Sequence, residues 1–112
     1  MRKFLIDTDT GSDDAVALLM AARVPDIVLL GVTTLGGNIP LVQTTNNALL
    51  ALEEADAAHV AVYPGAAQPL VRPLVTADNV HGLDGMGDQG LIHPVRQAEN
   101  RHAVAFILET VI

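Results

Sequence analysis

Residues 7–15 read DTDTGSDDA and place four carboxylates, Asp7, Asp9, Asp13 and Asp14, within eight positions of a chain in which only 17% of residues are charged. Like charges this close raise one another's pKa and oppose compaction unless a cation, a ligand or water relieves them. Carboxylate oxygens that converge without sulfur or a nearby histidine suit a hard cation, with Ca²⁺ or Mg²⁺ ahead of zinc. Calcium, which tolerates irregular and high coordination, is the first expectation. Capping of a helix by Asp13 or Ser12 accounts for one or two of the acids and leaves the others unexplained. An EF-hand loop does not fit, because Gly11 stands at its fifth position and Leu18 where its bidentate glutamate belongs.

The elements around the cluster follow from apolar patterning. KFLID is a short apolar run that ends in acid, and DDAVALLMAAR is rich in Ala and Leu and stops before Pro25, so the order is strand, loop, helix. IVLLGVTTL is β-branched without alternation, as in a parallel strand covered on both faces, and GGN breaks it. Pro40 is expected at the first position of a second helix, with Leu41, Thr45, Ala48, Leu49 and Leu52 on one stripe. HVAVYP supplies a third strand. The expected fold is therefore α/β, a Rossmann-like parallel sheet with right-handed crossovers and flanking helices, in which ligands bind at the carboxyl ends of strands. Asp7 to Asp14 and Gly36 to Asn38 both lie at such ends and are expected to face one cleft. If Asp7 and Asp9 close the first strand, its period of two turns them to the same side, and Gly11 allows the turn into the helix.

From Pro64 to Asn100 no periodicity emerges, and a stretch this long in a compact domain reads as a lid or binding segment, or otherwise as a mobile linker. RHAVAFILETVI then puts Val104, Ile107, Leu108 and Val111 on the apolar face of a last helix. No cap follows Ile112, and three strands are few for a doubly wound sheet, so residues 1–112 are expected to form the front part of a larger, single domain. A chain of 112 residues has room for one core. Its net charge of −7 disfavours nucleic acid and anionic membranes as partners, and the lack of cysteine excludes thiolate chemistry. The apolar run of MRKFLID meets Asp7 too soon for a signal peptide, and no membrane-length stretch follows, so the expected location is cytoplasmic.

DTDTGSDDAVALLMA, residues 7–21, resembles the D-x-D-x-G-x-D-D-A signature of the inosine-uridine-preferring nucleoside hydrolases. GVTTLGGN, NNALLAL, YPGAAQPLVRP, HGLDGMG and RHAVAFIL resemble further segments of that family in the family's order. The resemblance implies an enzyme that cleaves the N-glycosidic bond between ribose and a nucleobase with a tightly held Ca²⁺, and that assembles as a homo-oligomer, a dimer or tetramer. It implies that Asp9 and Asp14 bind the metal and that Asp9 is also the catalytic base for metal-bound water. Asp13 and Asn38 match groups that hold the ribose hydroxyls, His81 matches a histidine near the base pocket, and Asp7 matches an acid that supports the cluster. Family members are far longer, and their later part supplies further metal and sugar ligands. This segment alone is therefore expected to bind metal weakly and to turn over little.

The plainer roles of these residues are a turn for Asn38 and a solvated loop for His81, with His59 and His93 in loops, His102 at a helix start, and Met20 and Met86 filling space. Two other functions fit part of the pattern. One is a non-catalytic remnant or split-protein half that binds ribosides or cations weakly. The other is a phosphotransferase of the haloacid dehalogenase type with Asp7 as nucleophile, for which Gly11 and the Asp13-Asp14 pair have no evident role.

Overall fold

The computed structural model of the chain describes residues 1–37, 39–71 and 96–112. Strand β1 (Arg2–Thr8) leads through a short turn into helix α1 (Ser12–Arg23), and β2 (Ile27–Thr34) is followed by α2 (Leu41–Glu54), β3 (Val62–Pro64) and α3 (Ala103–Val111). The strands form a parallel sheet in the order β1-β2-β3, so the α/β reading holds and β2 is central. Register slips between Phe4 and Leu5: Phe4 pairs with Leu29 and Leu5 with Gly31, which leaves Leu30 bulged out of the ladder. No helix among the described residues is long and apolar enough to cross a membrane.

The faces of β2 decide which helix packs where. Val32 and Thr34 point to one side, where Leu18 of α1 and Ala48, Leu49 and Leu52 of α2 close the core and the Thr34 hydroxyl lies 2.8 Å from that of Thr45. Gly31 and Thr33 point to the other side, where a Cβ on Gly31 would meet Phe106 Cζ of α3 at 2.5 Å. Phe106 also stacks on Tyr63, with ring centroids 3.9 Å apart and planes 11° from parallel. Beyond β3, the Arg96 N–H donates to Glu53 Oε2 at 3.2 Å and its guanidinium to the Val60 carbonyl, which ties the returning chain to the end of α2. Burial pushes the Arg96 pKa below its ordinary value, while Glu53 and Glu99 pull it back up.

Several local expectations are corrected. Gly11, not Ser12 or Asp13, is the N-cap of α1: the helix begins at Ser12, both residues fall in its first turn, and the Gly11 carbonyl accepts the Ala15 N–H at 3.0 Å. Pro40 likewise stands just outside α2 with an extended ψ of 154° and accepts the Thr44 N–H at 3.0 Å. Of the stripe foreseen on α2, Thr45, Ala48, Leu49 and Leu52 are buried and Leu41, at the helix start, is half-buried. The stripe foreseen on α3 does not hold, since Val104, Leu108 and Val111 are exposed and Ala103 and Phe106 are buried. The Tyr63 ring and the bare backbone of Gly31 rotate the helix onto its Phe106 side. Met20 is exposed rather than filling the core, and the β3 ladder spans only Val62–Pro64 of HVAVYP. His102 does open α3, its Nδ1 accepting the Val104 N–H at 3.1 Å.

Candidate active site

Each carboxylate of the opening cluster is set by a different element. Asp7, the next-to-last residue of β1, is exposed, and it accepts a 2.6 Å bond at Oδ1 from the hydroxyl of Thr33, its register partner on β2. Thr8 points to the opposite face, as the strand's period of two requires, and its buried hydroxyl donates to Asp14 Oδ2 at 2.8 Å. Asp14 sits in the first turn of α1, where unpaired N–H groups favour negative charge. Asp9 lies in the turn between the two elements, half-buried.

The exit of β2 closes over that turn. The Leu35 N–H donates to the Thr8 carbonyl at 3.3 Å, and Gly37 then runs so close to Asp9 that an added Cβ would lie 2.6 Å from the aspartate's own Cβ. From the far side, the carboxamide of Asn47 on α2 donates to the Thr10 carbonyl at 3.1 Å and accepts from Gln43 at 2.9 Å. The loops after β1 and β2 therefore meet at the carboxyl end of the sheet. A cavity of about 270 Å³ opens there, lined by Asp7, Asp9 and Asp14 together with Thr8, Ala17 and Leu35.

Three of the four acids thus share one cavity, whereas Asp13 is exposed and outside its lining. Among the described residues no group of three or more acids or histidines closes to metal-binding distance. Asn38 and His81 lie outside the described residues. Sequence patterning overlooked the residues that orient the acids, namely Thr8, Thr33 and Asn47, and the close approach of Gly37. Threonines at two adjacent strand exits beside aspartates were the available signal.

The sequence pattern of the inosine-uridine preferring nucleoside hydrolases matches residues 4–112. This chain belongs to that family. Within it, the pyrimidine-specific ribonucleoside hydrolase RihB of Escherichia coli is 44% identical over 112 residues, covering 99% of this chain and 35% of its own length. A solved plant nucleoside hydrolase, PpNRh1, superposes with a TM-score of 0.91 at 34% identity over 98% of this chain and 35% of that one. A purine-preferring ribonucleoside hydrolase from Gardnerella vaginalis superposes with a TM-score of 0.87 at 30% identity, covering 98% of this chain and 36% of its own. The nucleoside hydrolase chain therefore spans about a third of the length of relatives such as these.

Proposed function

We propose that these residues form part of a hydrolase that splits the N-glycosidic bond of a ribonucleoside into ribose and free base, using a bound Ca²⁺. The observation that carries the proposal is the cavity at the carboxyl end of β1, walled by Asp7, Asp9 and Asp14, in a chain whose family match runs over residues 4–112. The donors are carboxylate oxygens, the type a hard cation takes, and Asp9 and Asp14 are the residues that would hold it. Bound there, the cation supplies Lewis-acid assistance by lowering the pKa of a water and anchoring sugar hydroxyls.

The protein's own groups do the rest. Asp9 receives the proton of the attacking water on a carboxylate oxygen. Asp7, Asp9 and Asp14 set negative charge beside a ribosyl group that turns cationic as the bond to the base breaks, which lowers the barrier by fixed electrostatics. This differs from the carboxylate pair of most glycosidases, where the acids alone serve as acid, base or nucleophile. By the family resemblance, Asp13, exposed at the start of α1, and Asn38 are the groups for the ribose hydroxyls and His81 the histidine for the base. Homo-oligomeric assembly and a place in nucleoside salvage belong to the same proposal and rest on the family resemblance alone.

A second reading concerns the chain by itself: non-catalytic, with weak binding of cations or ribosides. Support for it comes from the donor count, since no three acids or histidines among the described residues converge on one centre. The family match favours either of these over a phosphotransferase, which would need phosphate-ester hydrolysis and a trapped phosphoaspartate at Asp7.

The test is ribose release from inosine and uridine by a complete-length protein carrying these residues, with and without chelator. Release is expected, and it is expected to vanish on chelation and in Asp9→Ala. No release, or release indifferent to Asp9→Ala, refutes the proposal. Calorimetry of the 112-residue chain with Ca²⁺ and with ribose separates the second reading, which tight binding of both would contradict.

A further inference from the structure

We infer that Thr8 is a positioning residue for Asp14, and that its hydroxyl sets the Asp14 carboxylate in the orientation that receives a divalent cation. The inference rests on the cation reading of the Asp9 and Asp14 site given above. Thr8 is buried, at 7% exposure, and its hydroxyl proton goes to Asp14 Oδ2 at 2.8 Å across six positions of chain. The bond joins the last residue of β1 to the first turn of α1, and the core holds the two through Leu18 of α1 and Val32 of β2, the strand with which β1 is paired. The donor is therefore presented at a fixed point, and the carboxylate plane must follow it. Thr8 itself lines the cavity beside Asp7, Asp9 and Asp14.

A carboxylate free to turn about χ1 and χ2 loses that freedom when it binds a cation, and a hydrogen bond that has already chosen the rotamer removes part of the cost. Partners that orient metal-binding side chains in this way are typically worth 10–100-fold in metal affinity. A purely structural role would show as a lower melting temperature with Ca²⁺ affinity unchanged, and the positioning role as the reverse. Asp14 is half-buried, so water can replace the lost hydroxyl, and a valine fills the space of the threonine. Removing the hydroxyl should then cost affinity while leaving stability nearly unchanged.

The experiment is calorimetry of CaCl₂ binding to a metal-stripped, complete-length protein carrying these residues, with melting temperature measured alongside. Thr8→Val is expected to weaken Ca²⁺ binding about 10-fold or more, Thr8→Ser to stay near wild type, and both to melt close to it. Thr8→Ala drops the hydroxyl with less crowding and must show the same loss if valine disturbs the fold. Equal affinity in wild type and Thr8→Val overturns the inference, as does an equal loss in Thr8→Ser. If Asp14→Ala leaves Ca²⁺ binding unchanged, or wild type binds none, the cation reading has failed and Thr8 falls with it. If Asp14→Ala abolishes binding while Thr8→Val does not alter it, only the role of Thr8 is refuted.

Discussion

Gly37→Ala is the sharpest perturbation of the site, because the added methyl has nowhere to go. Its Cβ would lie 2.6 Å from Asp9 Cβ and 2.8 Å from Asp9 Cγ. Non-bonded carbons rest about 3.5–4.0 Å apart, so the overlap is about 1 Å. Rotating Asp9 about χ1 moves its Cγ and oxygens away but leaves its Cβ where the backbone holds it. The two loops must therefore separate, stretching the 3.3 Å bond from the Leu35 N–H to the Thr8 carbonyl that ties them. Overpacking of this kind costs about 1–3 kcal/mol, which for a chain of this size is a fall in melting temperature of roughly 5–15 °C. Thermal unfolding followed by circular dichroism gives the size of the effect, and amide shifts of Asp9 to Ser12 give its place. Gly65→Ala is the control: its Cβ would meet the Thr34 carbonyl at 2.9 Å and Ala103 Cβ at 3.0 Å, away from the acids. It should destabilise less and leave the Asp9 amides unmoved. A Gly37→Ala chain that melts within about 2 °C of wild type, well inside the shift expected above, with unshifted Asp9 and Thr10 amides, would show that Gly37 does not press on the aspartate.

Asn47→Ala removes the donor to the Thr10 carbonyl and the acceptor of Gln43, and should cost about 1–3 kcal/mol in urea unfolding because a buried carbonyl loses its partner. Thr10 is fully buried and its hydroxyl has no partner among the described residues, so Thr10→Val should be neutral or stabilising by up to about 1 kcal/mol in the same assay. A clear loss there would mean that the hydroxyl has a partner after all. Gly31→Ala drives a methyl into the Phe106 ring and should destabilise by about 1–3 kcal/mol in wild type. The same change in a Phe106→Ala background should cost little, and a double-mutant cycle by denaturant titration checks that coupling.

The division between chain and fold runs through particular residues. The run of β-branched residues in IVLLGVTT and the Ala-Leu content after Asp14 announce a parallel strand and a helix, because these preferences act over a few neighbouring residues and the core agrees with them. Helix boundaries and faces were less legible. Pro40 and Gly11 each stand one place outside the helix they open, since an extended cap is settled by the turn before it. On α3, four aliphatic positions outweigh one phenylalanine in any count of periodicity, yet the Tyr63 ring and the space above Gly31 select the phenylalanine.

The site divides in the same way. That acids cluster between a strand and a helix is a property of the sequence alone, because charge repulsion among Asp7, Asp9, Asp13 and Asp14 follows from spacing in any compact conformation. Which of them share a cavity is decided in three dimensions. Asp7 is set by Thr33, 26 residues away, and the turn carrying Asp9 is held by Asn47, 37 residues from the carbonyl it grips. Contacts at such separations leave no periodic trace in the chain and exist only once the parallel register has brought the ends of β1 and β2 side by side.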